Sequence, residues 1–202
     1  MRRAGEAAAA LIQPGMRVGL GTGRTVAYLL DALGERQVAD LRCVATSPET
    51  EQRAAELGIP VEPFDQLDQL DIAIDGADQV TEDRWAVKGG HGAQLREKIV
   101  AAAADRFVVI ASAEKLVDAL HPPVPLELER FGLPSTLGEL GHARLRDGAP
   151  PTPDGGVLAD YVGPLDEGPA ALAAWLDSIP GVAGHGLFGP DLVRDAIVDR
   201  GD

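Results

Sequence analysis

The sequence lacks the features that would assign it to several large classes of protein. Its 202 residues include one cysteine, Cys43, so an internal disulfide is excluded. No apolar run approaches the roughly 18 residues that a membrane-spanning helix needs. The first 15 residues, MRRAGEAAAALIQPG, lack the apolar core and cleavage site of a signal peptide. We therefore expect a globular, cytoplasmic protein in which Cys43 is a small buried hydrophobic residue.

Basic residues are scarce as well. The chain has 18 Lys and Arg against 32 Asp and Glu, which gives a formal net charge of -14. Because nucleic acids and anionic membranes are repelled by such a surface, neither is an expected partner. Only Lys88, Lys98 and Lys115 are lysines. Either the composition simply favours arginine, or some of these positions need a compact ammonium group.

The pattern of helices and strands predicts an α/β fold. Up to about residue 125, helical and strand patterns alternate, which is typical of a mostly parallel sheet with helices on both faces. The clearest strands are RVGLG (17–21), LRCVAT (41–46), DIAID (71–75) and RFVVIAS (106–112). Later residues contain a turn-rich stretch followed by strand, helix and strand patterns. We expect a main domain of residues 1–126 with the tail 188–202, and a small αβ, ferredoxin-like domain of residues 127–187.

The glycine-rich segment GLGTGRT (19–25) joins a predicted strand to a predicted helix. Amides at a helix N-terminus form an anion site. The dinucleotide fingerprint fails because Arg24 replaces its third glycine, and a P-loop fails because its lysine is missing. What remains is a small phosphate cradle of backbone amides, the Thr22 and Thr25 hydroxyls and Arg24. An ordinary tight turn is the alternative interpretation.

The segment DGADQVTEDRWAVKGGHGAQLREK (75–98) combines charged groups of both signs with glycines. Asp75 ends a buried strand and Asp78 follows a Gly-Ala turn, so the two carboxylates should lie close together and shift each other's pKa. Lys88 precedes a glycine run, and Glu97 lies within the next helix. A lysine can stabilise an oxyanion, and a glutamate can move a proton between adjacent carbons. For DGAD alone, an Asp turn is the alternative.

Several motifs together resemble one known family. In chain order these are GLGTGRT, ATSPETEQRAAELGIP, DIAIDGADQV, KGGHGAQLREKIVAAAADRFVVIAS, PVPLELERFG and IPGVAGHGLF. The series resembles ribose-5-phosphate isomerase of the A type. The resemblance implies interconversion of D-ribose 5-phosphate and D-ribulose 5-phosphate through a cis-enediolate, in the pentose phosphate pathway. It also implies a homodimer that uses no cofactor and no metal.

By position, the resemblance assigns a role to each candidate residue. Glu97 is similar to the base that moves a proton between C2 and C1, and Lys88 to the cation near the enediolate. Asp75 and Asp78 resemble the carboxylates for ring opening and hydroxyl proton transfer. The residues implied to bind substrate and its phosphate are Thr22, Gly23, Arg24, Thr25, Gly89, Gly90, Lys115 and Arg2.

Several positions depart from the usual pattern of this family, and three of them lie in the motifs of the predicted site. Arg24 stands where a serine is usual, Gln79 where a glutamate is usual, and His91 where a glycine or alanine is usual. Two other functions stay open at this point. One is a sugar-phosphate sensor that binds its ligand without turnover, and the other is an isomerase for a different phosphosugar.

Overall fold

A five-stranded parallel sheet forms the centre of the molecule in the computed structural model, which describes residues 1–201. Along these residues the strands are β1 (Arg17–Leu20), β2 (Arg42–Ala45), β3 (Ile72–Gly76), β4 (Gln79–Val80), β5 (Ala86–Val87), β6 (Phe107–Ser112), β7 (Val124–Leu128), β8 (Ala143–Leu145), β9 (Val157–Tyr161), β10 (Val182–His185), β11 (Leu187–Phe188) and β12 (Val193–Asp199). The order across the parallel sheet is β12-β6-β3-β1-β2. In its register, Val18 pairs with Cys43 on one side and Ile72 on the other.

Six α-helices lie within residues 1–201, and one of them has a side-chain cap. They are α1 (Arg2–Ala9), α2 (Arg24–Arg36), α3 (Pro48–Glu56), α4 (Gln94–Ala102), α5 (Leu133–Leu140) and α6 (Pro169–Ser178). Ser47 caps α3 by accepting a hydrogen bond from the amide of Thr50, and Pro48 occupies the first turn. This start is the one that a serine followed by proline predicts.

Helices cover both faces of the parallel sheet. On one face, Ala8 of α1 and Leu29 of α2 share a buried cluster with Leu20. On the other face, Val100 of α4 shares a second cluster with Ala73. Burying a large aliphatic side chain such as leucine contributes about 1.5–3 kcal/mol, so these clusters fix the helices against the sheet. The predicted α/β class, with helices on both faces, is confirmed.

A second, antiparallel sheet has the order β10-β7-β9-β8. Its apolar residues pack with α5 and α6 in a third buried cluster, which includes Leu126, Leu140 and Leu176. The prediction of an additional small αβ unit is therefore confirmed. The strands β11, β5 and β4 form a third, short sheet. The division of the chain after residues 126 and 187 stays a prediction.

Cys43 is completely buried on β2, as expected. Burial, aided by the negative charge of Glu62, raises the pKa of its thiol to about 12. The thiol is therefore a protonated, apolar part of the core. None of the helices within residues 1–201 is both long and apolar enough to span a bilayer.

The parallel strands bring distant loops to one edge of the sheet. Because β1, β3 and β6 run in the same direction, the residues that follow Leu20, the end of β3 at Gly76, and Ser112 lie at the same edge. Ligands of open parallel sheets bind outside this carboxyl-end edge. The fold therefore places the glycine-rich loop beside the acidic turn after β3.

Candidate active site

A cleft opens at the carboxyl-end edge of the parallel sheet and contains about 610 Å³ of empty space, part of it open to solvent. Its lining residues are Met1, Thr22, Gly23, Arg24, Thr25, Gly76, Ala77, Asp78, Lys88, Gly89, His91, Glu97, Ser112 and Lys115. Most of the predicted site residues are in this set. A cleft of this size suits a small molecule.

Lys88 lies at the floor of the cleft between two carboxylates. Its Nζ is 2.7 Å from Oδ2 of Asp75 and 3.2 Å from Oε2 of Glu97. The Nζ group also donates a hydrogen bond of 2.5 Å to the carbonyl oxygen of Gly76. All three charged side chains are at most 4% exposed. A buried ammonium group is costly unless it is paired, and here two carboxylates and a carbonyl surround it.

Local structure explains why these three side chains meet. Asp75 belongs to β3, whose residues Ile72 to Asp75 are all buried, so its side chain is held at the end of an interior strand. Glu97 lies in the first turn of α4 and faces inward. The amide of Lys88, which directly follows β5, donates to the carbonyl of Gly186 at 2.8 Å. Each charged group is thus attached to an element with a fixed backbone.

Burial and the neighbouring charges shift the pKa values of Glu97 and Lys88. Burial and the neighbouring negative charge of Asp75 raise the pKa of Glu97 to about 8, against the opposing effect of Lys88. Although burial alone lowers the pKa of Lys88, the charges of Asp75 and Glu97 raise it above its ordinary value. Lys88 therefore stays charged, and the raised pKa of Glu97 suits a group that exchanges a proton near neutral pH.

The second carboxylate oxygen of Asp75 is held by the glycine-rich loop. Its Oδ1 accepts hydrogen bonds from the amides of Thr22, at 2.9 Å, and Gly76, at 2.6 Å. The loop approaches so closely that a Cβ at residue 21 would lie 2.0 Å from Cγ of Asp75. Gly21 is thus required by this contact, because any side chain would displace the carboxylate.

Asp78 lies at the rim and contacts the second glycine-rich loop. Its Oδ2 accepts a hydrogen bond of 2.8 Å from the amide of Gly90. Gly89 has a φ angle of +99°, and a Cβ there would lie 2.5 Å from Cβ of Gln94. The backbone path after Lys88 thus needs glycine at residue 89 and presents the next amide to Asp78.

Basic groups from other elements also line the cleft. It contains the N-terminus of α2, the side chains of Arg24 and Lys115, and Thr25. The first amides of a helix have no intrahelical acceptor, and the helix dipole favours an anion there. The Thr22 hydroxyl is already bonded to hydroxyl oxygens at the start of α3, including that of Thr46 at 2.8 Å. The hydroxyl of Thr22 was predicted to bind a phosphate, but it is engaged by these neighbouring hydroxyl groups instead.

Three predicted site residues do not line the cleft themselves. Asp75 and Gly90 lie beside it, and Arg2 lies on α1. Asp75 contacts the cleft through Lys88, and Gly90 contacts it through Asp78. The guanidinium of Arg2 lies over the ring of Tyr28, with its Cζ 5.2 Å from the ring centroid. Arg2 is not among the residues that line the cleft within the described chain.

Sequence reasoning missed some of the residues at the cleft. Ser112 ends β6 and lines the cleft, and its position at the carboxyl end of a parallel strand could have indicated this. The ring of Phe188 lies 5.4 Å from Nζ of Lys88, but no local pattern points to that contact. Within residues 1–201, no three His, Cys, Asp or Glu side chains are grouped so that they could hold a metal ion.

Gln79 and His91 were singled out as departures from the usual family pattern. Gln79 is buried, and its amide holds the backbone of His121 by donating to its carbonyl at 2.8 Å and accepting from its amide at 2.9 Å. A glutamine supplies this donor and acceptor pair, which an ionised glutamate cannot. His91 is exposed and lines the cleft.

Comparison with known proteins places this geometry in a family. The family model described as ribose 5-phosphate isomerase A (phosphoriboisomerase A) matches residues 42–202. Ribose-5-phosphate isomerase A of Caulobacter vibrioides is 42% identical over 210 residues, which cover 98% of this chain and 92% of that relative.

Solved structures agree with the match in sequence. Ribose 5-phosphate isomerase A from Neisseria gonorrhoeae superimposes with a TM-score of 0.92 and 32% identity, over 98% of this chain and 90% of that one. A D-ribose-5-phosphate isomerase in complex with phospho-erythronic acid also gives a TM-score of 0.92, with 34% identity over 98% of this chain and 93% of that one. This chain belongs to the ribose 5-phosphate isomerase A family.

Proposed function

We propose that this protein interconverts D-ribose 5-phosphate and D-ribulose 5-phosphate through a cis-enediolate. The observation that carries the proposal is the position of buried Lys88 between Asp75 and Glu97, at the floor of a cleft that Arg24 and Lys115 also line. An aldose–ketose isomerisation needs a base, a cation near the developing oxyanion, and an anchor for the phosphate. The cleft offers a candidate for each.

The phosphate group is proposed to bind at the N-terminus of α2. There the free helix amides, Thr25 and the positive charges of Arg24 and Lys115 favour an anion. Binding energy from this end orients the sugar, so that C1 and C2 reach Glu97 without a further loss of entropy. The net charge of the chain is negative, so most of its surface repels an anionic substrate. The positive charges of the cleft therefore supply the local attraction for the phosphate.

Glu97 is proposed to move the proton between the two carbons. Its carboxylate removes the proton from C2, the electrons of that C–H bond form the C1–C2 double bond, and the π electrons of the C1 carbonyl move onto O1. The protonated Glu97 then returns the proton to C1, while O2 loses its hydroxyl proton and becomes the C2 carbonyl and O1 gains a proton to become the C1 hydroxyl. A pKa of about 8 suits a group that must both accept and release a proton near neutral pH.

Lys88 is proposed to stabilise the enediolate oxygens, because its positive charge is fixed in a site with little water. Asp75 and Asp78 are proposed to exchange protons with the substrate hydroxyls and to assist ring opening. The contacts of Asp75 with the amides of Thr22 and Gly76 support this role, since they hold the carboxylate in one orientation.

Turnover of ribose 5-phosphate tests the proposal. The purified protein is mixed with ribose 5-phosphate, arabinose 5-phosphate or glucosamine 6-phosphate in separate reactions, and the ketose products are measured. Ribulose 5-phosphate should form fastest. Binding of ribose 5-phosphate without product would identify a sensor instead, and faster turnover of another phosphosugar would change the assigned substrate.

We also propose that the protein acts in the cytoplasm as a homodimer within the pentose phosphate pathway, on the basis of its family. Light scattering of the purified protein should give the mass of two chains. An active monomer would remove the dimer from the proposal.

A further inference from the structure

The glycine loop after Lys88 is held by an arginine from the antiparallel sheet. Nη1 of Arg146 donates to the carbonyl oxygens of Gly89, at 3.2 Å, and Gly90, at 3.0 Å. Arg146 follows β8 and is more than 50 residues away from this loop in the sequence. No signal in the sequence indicated the contact. The arginine thus connects the second sheet to the floor of the cleft.

The guanidinium of Arg146 is itself fixed. Its Nε and Nη2 bond the two carboxylate oxygens of Asp160 on β9 at 3.0 and 2.7 Å, and its backbone amide donates to Leu158 at 3.0 Å. The Arg146 and Asp160 side chains are 18% and 24% exposed. A bidentate pair of this kind limits the orientations of the guanidinium plane. Nη1 is therefore aimed at the loop by contacts that do not involve the loop.

One peptide group joins Arg146 to Asp78. The carbonyl of Gly89 and the amide of Gly90 belong to the same peptide unit, so this unit accepts from Arg146 at one end and donates to Asp78 at the other. When the carbonyl oxygen of a peptide accepts a hydrogen bond, the peptide is polarised, and the hydrogen bond that its N–H donates becomes stronger. Arg146 therefore both orients this peptide and increases its ability to hold a carboxylate.

We infer that Arg146 is a positioning residue that holds the Asp78 carboxylate through the Gly89–Gly90 peptide. The inference rests on the proposed function, because it assigns a purpose to the orientation of Asp78 in that reaction. Arg146 does not line the cleft within the described chain, so it acts through the loop and not on the substrate. The antiparallel sheet is thereby part of the catalytic machinery.

Arg146→Met tests the inference by removing the guanidinium while keeping an unbranched side chain. A small misplacement of a catalytic group can cost about 10²-fold in rate, so kcat should fall by roughly that factor. KM should change little, since the proposed phosphate anchors lie on α2 and at Lys115. Arg146→Lys should recover only part of the rate, because one ammonium group cannot hold both Asp160 and the loop.

Arg17→Met is the matched control. Arg17 forms a bidentate pair with Asp71 of similar burial, but at the start of β1, which is the opposite edge of the sheet. If Arg146 served only for stability, the two variants would lose similar amounts of thermal stability and would both keep kcat. Added methylguanidinium should restore part of kcat to Arg146→Ala and should not change kcat of Arg17→Ala.

A second readout does not depend on turnover. Hydrogen exchange at the Gly90 amide, followed by NMR, should become faster in Arg146→Met and stay unchanged in Arg17→Met. If the wild-type protein has no isomerase activity, the proposed function is overturned. The exchange rate of the Gly90 amide in Arg146→Met then decides the role of Arg146 by itself. An Arg146→Met variant with wild-type kcat, or with unchanged exchange at Gly90, would overturn the inference. Should Arg146→Met not fold, Asp160→Asn provides the same two measurements, with a smaller expected effect.

Discussion

Replacing Lys88 by methionine tests whether the buried charges at the floor of the cleft depend on one another. Methionine keeps most of the apolar stem of lysine and removes its charge. Asp75 and Glu97, each at most 4% exposed, would then face each other without a cation. Removing one partner of a buried ion pair costs about 3–5 kcal/mol, because the remaining charge stays buried.

For a chain of this length, 1 kcal/mol changes Tm by roughly 2–4 °C. Lys88→Met should therefore lower Tm by about 6–20 °C at neutral pH, as measured by calorimetry. The loss should be larger above about pH 8, where Glu97 gives up its proton and adds a second unpaired buried charge. Lys115→Met, which changes the half-buried lysine elsewhere in the cleft, is the control and should leave Tm nearly unchanged.

The triple variant Lys88→Met, Asp75→Asn, Glu97→Gln completes this test. It removes all three charges, and neutral replacement of a buried ion cluster is often close to neutral for stability. Its Tm should return toward that of the wild type while activity stays absent. The reasoning would be refuted by a Lys88→Met protein as stable as the wild type, or by a triple variant no more stable than Lys88→Met.

Three other predictions follow from the same geometry. Since burial and Asp75 raise the pKa of Glu97 to about 8, kcat/KM should fall about tenfold per pH unit below that value, and a limb near the ordinary glutamate pKa would contradict the assignment. Gly21→Ala should lower kcat/KM by about 10²-fold, because its Cβ would meet Asp75, whereas Gly138→Ala, with open space around its Cβ, should not. Burial and the positive charge of Lys98 lower the pKa of His185 from 6.5 to about 4. As the pH falls below 6.5, His185 is therefore protonated in the unfolded chain while it is still neutral in the folded protein. The free energy of unfolding should thus decrease by up to about 2 kcal/mol between pH 6.5 and about pH 5, and His185→Gln should reduce this decrease.

The sequence predicted much of the fold and of the site because both depend on local patterns. Asp75 was placed at the end of a buried strand by four apolar or small neighbours, and the structure ends β3 directly after it. Glu97 was placed inside a helix, and it lies in the first turn of α4. Lys88 was placed in the loop between them. In a parallel sheet the segments that carry these three residues lie at the same edge, so the sequence also indicated that their charges meet.

Contacts between distant segments could not be predicted in this way. Arg146 meets Gly90 from 56 residues away, and the ring of Phe188 lies near Lys88 from 100 residues away in the sequence. The first contact arises from packing between two sheets and the second from the pairing of β11 with β5, and no local periodicity reports either. The strand β12 was likewise assigned only as a tail, because its parallel pairing with β6 is a tertiary property. Two-residue strands such as β4 are too short to carry a period.

The orientation of individual hydroxyl groups was also beyond the sequence. Thr22 was expected to direct its hydroxyl toward a phosphate, but this hydroxyl is bonded to Thr46 and Ser47. The backbone amide of Thr22 bonds Asp75 instead. The residue was thus correctly placed at the cleft, while its contact there was not.

Deuterium exchange with ribose 5-phosphate in heavy water tests the central claim most directly. Glu97→Gln should lose the incorporation of deuterium at C2 and C1 by about 10²–10⁴-fold, since the amide cannot accept the proton. Glu127→Gln is the matched control, because Glu127 is a buried glutamate whose Oε1 accepts a hydrogen bond from Thr152 outside the cleft. That variant should exchange at close to the wild-type rate. Exchange by Glu97→Gln at the wild-type rate would contradict the assignment of Glu97 as the base.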